Sequence, residues 1–268
     1  MPFAHIYSDP EKDRILSIDL DLLMRAYASG IFPMSDARDD PDTFWIEPEM
    51  RAILPLDGFK LSKSLAKTIR QDRFRVTADA VFPRVIATCA AKNEGRQDTW
   101  INPDIEHAFC ELHRRGYAHS VECWEDEKLV GGLYGMALGR AFFGESMFSR
   151  ATDASKVALA WLVARLRVGG FTLLDCQFMT SHLQSLGAVE MPQEDYLVLL
   201  QQSLGRDFQA SVVLSAAPAS SGVSAGAGVW GALDGFLAAG AGAASEDFSS
   251  TASSSPGKLI LQALTQTS

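Results

Sequence analysis

The chain lacks most of the signatures that would assign it quickly. It holds no P-loop, no G-x-G-x-x-G opening a helix, no G-x-S-x-G and no H-E-x-x-H, which excludes the common nucleotide-binding and hydrolase patterns. Cysteine is sparse: Cys89, Cys110, Cys123 and Cys176 lie far apart, with no C-x-x-C pair and no histidine at ligand spacing. They read as reduced thiols of a cytosolic protein, without zinc or another metal. No apolar run reaches ~18 residues, and the opening MPFAHIYSDPEKDR is charged too early for a secretory leader, so no membrane partner is expected. Positive charge is short as well, with 24 Lys and Arg against 33 Asp and Glu and a net charge of -9. Any contact with nucleic acid must therefore come from a local basic patch working against the global field.

What is present is apolar material: 47% of the 268 residues are hydrophobic, enough for at least one sizeable core. The most informative stretch runs from 131 to 178. It reads as a glycine-rich strand pair, a polar turn holding Glu145, a long apolar helix and a buried strand carrying Asp175 and Gln177. Strict alternation puts Asp175 and Gln177 on one face of that strand, and Leu174, Cys176 and Phe178 on the other. A carboxylate in an apolar strand must be paired or hydrogen-bonded, since burying it alone costs several kcal/mol, on the order given by transfer data. A structural network and a functional site both satisfy that requirement. The helix over 153 to 168 is apolar on nearly every side, so it lies between a sheet and something else.

Taken in order, residues 17 to 30 show a capping Ser17 or Asp19, apolar spacing at Leu22, Leu23 and Tyr27, and a closing Gly30. Loops and short strands follow, giving a small N-terminal domain over 1–59. Residues 60 to 75 concentrate Lys60, Lys63, Lys67, Arg70, Arg73 and Arg75 against Asp72 alone. Lys60, Lys63, Lys67 and Arg70 line one helical face opposite Leu61, Leu65 and Ile69; this is either an ordinary solvated face or a phosphate-binding surface. Helices at 81 to 90 and 103 to 116, three antiparallel strands through residue 146, and a helix around 194 to 204 complete a second domain over 60–205. After Gly205 the composition turns to Ala, Gly and Ser, which predicts a flexible low-complexity tail over 206–268 whose last residues, KLILQALTQTS, are apolar enough to dock back.

Few residues stand out chemically. Glu145, between Gly144 and Ser146, is either a turn acid or a carboxylate presented at the mouth of a sheet. His107, His113, His119 and His182 are scattered and read as surface or packing residues. Tyr27, Phe32, Phe44, Trp45 and Trp100 are either small-domain core or platforms for stacking bases beside a basic helix, at ~1 to 3 kcal/mol per base.

The motifs YASGIFPM, DTWI, AHSVECW, LVGGLYG, FFGESMFSR, ASK and LLDCQF resemble the leucyl/phenylalanyl-tRNA–protein transferases, from about residue 17 to 204. GESMFSR followed by DCQ is the most specific part. The resemblance implies an α+β fold with a GNAT-like catalytic domain, a mixed sheet flanked by helices. It implies transfer of Leu, Phe or, less readily, Met from aminoacyl-tRNA to proteins beginning with Lys or Arg, creating an N-degron. By it, Asp175 and Gln177 form the catalytic pair and Glu145 organises the site. Leu133, Phe142, Leu159 and Leu162 build the amino-acid pocket, Tyr27, Met34, Trp100 and Phe109 fall where the terminal adenosine is contacted, and Lys63, Lys67 and Arg70 bind the tRNA body. This chain departs from the family pattern at Met34 and Phe109, where Trp and Tyr are expected, at Leu133 and Leu162, where Met and Phe are expected, and at FWIEPEMR in place of WWSPDPR.

Under this resemblance the reaction is aminolysis of an activated ester by a neutral amine, in a site that keeps water out. Asp175 either draws off the proton, a role typically worth ~100- to 10,000-fold, or only positions the amine. No metal and no cofactor are implied, because the tRNA ester arrives activated, and a cytoplasmic monomer is expected. The rivals are an acetyl-CoA-dependent GNAT enzyme, disfavoured because the turn GESMFSRATDASK lacks a pyrophosphate-cradling glycine loop; a non-catalytic tRNA-binding protein; and a transferase acting on cell-wall precursors.

Overall fold

A computed structural model describes residues 18–91, 98–205, 228–242 and 255–265. Ser17, with the rest of 1–17, and residues 206–227, 243–254 and 266–268 of the expected tail lie outside the described residues.

The first helix, α1 (Leu20–Ala28), begins at Asp19, whose Oδ1 accepts the Leu22 amide at 2.7 Å, and it buries Leu20, Leu23 and Tyr27. A two-stranded ribbon follows, β1 (Phe32–Met34) with β2 (Phe44–Ile46). The third strand, β3 (Met50–Ile53), comes from the segment assigned to the N-terminal unit yet is a strand of the main sheet, where it pairs with β8 (Leu173–Gln177) and β9 (Val189–Pro192).

Between them come α2 (Lys63–Arg70), β4 (Arg75–Ala78), α3 (Phe82–Ala90), α4 (Pro103–Arg114), the meander β5 (Ala118–Glu125), β6 (Lys128–Leu138) and β7 (Ala141–Ser149), and then α5 (Ala154–Val168). The short helix α6 (Ser181–Ser185) and α7 (Gln193–Leu204) flank β9. The seven-stranded sheet has the order β4-β5-β6-β7-β8-β3-β9. It is mixed: β7 and β8 run parallel, joined by α5 as the crossover, and the other described pairs are antiparallel. The fold is therefore α+β, a mixed sheet with helices on both faces.

Alternation along the strands sends side chains into two cores. Tyr134, Met136 and Phe143 face the layer of α1, α3, α4 and α7. Leu133, Phe142 and Leu174 face α5. The helix α5 is buried from Ala154 to Leu166 apart from Lys156, as its all-round apolar sequence requires.

Two described pieces of the segment expected to be a flexible tail, 228–242 and 255–265, pack against the molecule instead. Helices α8 (Ala232–Gly242) and α9 (Pro256–Thr265) pack on α5, and α9 also packs on α2. Composition misled because it counts the segment's own large side chains and not the apolar surface waiting for them. Leu233 and Ile260 are fully buried there, and Trp230 packs against the same core. The expected docking of the last apolar residues is found, as a helix.

Among the described residues no helix is long and apolar enough to cross a membrane. The four cysteines are free, and no cluster of His, Cys, Asp and Glu suited to a metal ion occurs among the described residues.

Candidate active site

The chemistry-bearing residues gather where β8 ends. Asp175 is fully buried, paired across the sheet with Phe143 of β7 and with Ile53 of β3. Its charge is met by Arg51, equally buried on β3: Nε lies 3.0 Å from Oδ1 and 3.1 Å from Oδ2, and Nη2 lies 2.6 Å from Oδ2. The Tyr196 hydroxyl donates to Oδ2 at 2.9 Å, and the Gln177 amide donates to Oδ1 at 2.8 Å. Arg51 also donates through Nη1 to the Gly30 carbonyl at 2.9 Å, while the rings of Phe32 and Tyr196 lie 4.7 and 4.6 Å from its guanidinium carbon. Burial opposes the charge on Arg51, but Asp175 outweighs it and holds the guanidinium above its ordinary pKa. Burial, and then the Asp175 charge, pushes the Tyr196 phenol up.

The next layer is Glu145 with Gln177. Glu145 Oε1 accepts from the Tyr27 hydroxyl at 2.8 Å and from Gln177 Nε2 at 2.9 Å, while its buried Oε2 has no partner. Burial raises the Glu145 pKa to about 8, against the opposing effect of those two hydrogen bonds. With Nε2 turned to the carboxylate, the Gln177 amide oxygen is left as an acceptor.

Glu145 and Gln177 form part of the wall of a cavity of ≈ 300 Å³ whose apolar lining includes Leu133, Leu159, Leu162 and Leu174. Trp100, Phe178 and His182 contribute further wall. A larger cavity of ≈ 450 Å³ lies between β4, α5 and α8, with Arg165 and Asp234 in its wall. None of the residues expected to act in the reaction lines it, so the smaller cavity is the candidate site.

Several expectations need correcting. Asp175 and Gln177 do not share a wall: Gln177 has φ 61, in the left-handed region, and its amide closes an Asx turn on Asp175. That twist breaks the alternation, so Leu174, Cys176, Gln177 and Phe178 all line the cavity while Asp175 faces Arg51. Phe142 is buried beside Leu174 in strand register and does not itself line the cavity. Tyr27 and Phe109 have no exposed surface, each packed edge to face in the core, so neither ring has a face free for adenine. Met34 is partly buried against the same core, whereas Trp100 reaches the cavity. Lys63, Lys67 and Arg70 are exposed along α2, with Leu65 and Ile69 buried beneath them.

Arg51 and Tyr196 escaped the sequence reading. The signal was available for Arg51, a lone cation inside the apolar run MRAIL that mirrors the lone anion in LLDCQ.

An apolar recess with an amide and a carboxylic acid in its wall suits an enzyme that holds an acyl group while an amine attacks it, and comparison with known proteins agrees. Residues 17–49 match the N-terminal domain model of leucyl/phenylalanyl-tRNA protein transferase, and residues 53–201 match the leucyl/phenylalanyl-tRNA protein transferase model itself. A protein of that name from Rhizorhabdus wittichii is 58% identical over 255 residues, covering 94% of this chain and 99% of its own. Another from Novosphingobium aromaticivorans is 52% identical over 257 residues, covering 94% and 97%. A solved structure of FemX aligns with TM-score 0.42 at 12% identity, over 67% of this chain and 71% of its own. The chain belongs to the leucyl/phenylalanyl-tRNA protein transferase family and is an aminoacyltransferase.

Proposed function

We propose that this enzyme transfers Leu or Phe, and Met less readily, from aminoacyl-tRNA to proteins beginning with Lys or Arg, so marking them for degradation. The observation that carries this is the Gln177–Glu145 pair at 2.9 Å in the wall of an apolar cavity of ≈ 300 Å³. A dry cavity of about half that volume holds a benzene ring, so the space accommodates a Leu or Phe side chain with its ester. Shape selects weakly among such residues, since one methylene is worth only ~1 to 3 kcal/mol, while β-branched Ile and Val fit a narrow slot poorly.

In this reading the acceptor's neutral α-amine hydrogen-bonds to the Gln177 amide oxygen and attacks the ester carbonyl. The C–N bond forms, the C–O bond to the terminal ribose breaks, and the amine proton leaves as the ribose oxygen takes one up. Apolar walls exclude water that would hydrolyse the ester. Asp175 positions the pair and does not take the proton: both its oxygens are occupied by Arg51, Tyr196 and the Gln177 amide. Glu145 fixes the Gln177 rotamer and, when ionised, gives the recess negative charge for the acceptor's basic side chain. Trp100 and Met34 offer contacts for the terminal adenosine, and Lys63, Lys67 and Arg70 a track for the tRNA backbone. The GNAT-like reading of 60–205 is supported by the parallel β7–β8 pair in an otherwise antiparallel sheet. A cytoplasmic monomer completes the proposal.

The test is a transfer assay with Leu-, Phe-, Met- and Ile-tRNA against peptides starting with Arg, Lys, Asp and Glu. Product with the first three donors and the basic acceptors is expected. Binding of charged tRNA with no product on an Arg-initiated peptide would leave a tRNA-binding protein instead.

A further inference from the structure

The family models together match residues up to 201, yet the chain continues into helices that pack on α5, which lines the cavity. Trp230, just before α8, stacks on Phe142 with ring centroids 5.5 Å apart and planes at 9°. Phe142 is the strand-register partner of Leu174, and Leu174 lines the cavity. Trp230 is itself fixed on several sides. Its Nε1 donates to Asp79 Oδ2 at 2.8 Å, His119 stacks on it at 4.2 Å, and the Arg165 guanidinium carbon lies 5.0 Å from the ring. Arg165 Nη1 also donates to the Trp230 carbonyl at 2.7 Å, and the same side chain forms an ion pair with Asp234 of α8 at 2.6 Å.

Arg165 rises from α5, the helix that also gives the cavity Leu159 and, one turn before Arg165, Leu162. The docked segment thus meets two walls of the cavity from behind, the sheet through Phe142 and the helix through Arg165.

We propose that Trp230 is a positioning residue that sets the size of the amino-acid pocket, the C-terminal segment acting as a clamp on its back wall. The inference rests on the transferase reading above. Protein interiors are close-packed, so removing the indole leaves space into which the Phe142 ring retreats and Leu174 follows. The pocket then admits a bulkier side chain.

The experiment is a competition assay on the full chain, with equal Leu-tRNA and Phe-tRNA and an Arg-initiated peptide, reading the ratio of the two products. That ratio comes only from active molecules, so partial loss of folded enzyme does not move it. Trp230→Ala is expected to raise the Phe to Leu ratio by about three-fold or more, a fraction of the ~10- to 200-fold that one methylene of pocket shape is worth. Trp230→Phe, which keeps a ring against Phe142, is expected to restore the original ratio.

Gly169→Ala reaches the clamp from the other side: a Cβ there would sit 2.5 Å from the Val229 carbonyl oxygen, and the backbone φ of -77° tolerates alanine. It is expected to shift the ratio in the same direction without touching the indole, and it serves should Trp230→Ala fail to fold. If the unaltered chain transfers neither residue, the transferase reading falls and the clamp with it. If it transfers both and the ratio stays unchanged in Trp230→Ala and Gly169→Ala, the clamp alone is overturned.

Discussion

A guanidinium and a carboxylate with no exposed surface stabilise each other only as a pair. Removing one partner leaves the other buried and uncompensated, which costs ~3 to 5 kcal/mol, whereas replacing both by apolar residues of similar volume is often neutral. Asp175→Asn and Arg51→Gln are therefore expected each to lower the unfolding free energy by that amount, and Arg51→Met with Asp175→Leu to recover most of it. Denaturant titration of the four proteins measures this, and purely additive losses would rule the pair out as a unit. The same logic changes what a dead Asp175→Asn enzyme would mean, since lost activity would report a disordered Gln177 and not a missing base. Glu145 adds a pH dependence. Its folded pKa of about 8 lies above its ordinary 4.5, so the folded state holds the proton more tightly. That contribution to stability is fully present below the ordinary value and is lost as pH rises through about 8, at up to ~1.4 kcal/mol per pH unit. Glu145→Gln, with no proton to lose, should show a flatter stability curve from about pH 5 to about pH 8.5. Parallel curves for the two proteins would mean that Glu145 is not a raised, buried acid.

At the scale of elements, α2 separates its two jobs by face. Leu65 and Ile69 anchor it, while Lys63, Lys67 and Arg70 remain exposed, so neutralising all three changes charge with little effect on packing. If each neutralises one phosphate, the triple alanine variant should bind aminoacyl-tRNA more weakly, with a log K against log salt slope shallower by about 2 to 3. Transfer from a short aminoacyl-adenosine donor, which lacks the tRNA body, should be unaffected; a binding curve over salt and a rate with each donor suffice. Local elements like this one were legible because their information is local. The period of α2, the turn-bounded strands of β5 to β7 and the apolar α5 each declare themselves within a single element. The site was legible in membership more than in geometry: Glu145, Gln177 and Trp100 were named and lie together at the cavity. The partner of Asp175 sits on β3, some hundred and twenty residues away in sequence, and periodicity carries nothing about such pairings. The turn at Gln177 is equally silent, because a single residue at φ 61 brings its own side chain onto the cavity face beside Cys176 and Phe178 without altering the pattern of residue types.

For the molecule as a whole, the decisive relation is between α5 and the segment that covers it. A helix buried on every side demands a second layer; among the described residues α2 supplies part of it, and α8 and α9 supply more. Composition described the segment correctly and still misjudged it, since Ala and Gly allow close approach to a waiting surface as readily as they populate a linker. Gly257 illustrates this: a Cβ there would lie 1.9 Å from the Ile69 carbonyl oxygen, and its amide donates to Asp72 Oδ1 at 2.6 Å. If the docking is part of the native state, the amides of Ile260 to Leu264 should exchange at least about a hundred-fold more slowly than in an unfolded chain, equivalent to ~2.7 kcal/mol of local stability. Gly257→Ala should abolish that protection in α9 while leaving β5 and β6 protected, because the added methyl displaces the helix without reaching the sheet. Rapid exchange of every amide after residue 256 in the unaltered protein would return this last segment to the status of a tail and take α9 out of the cover of α5.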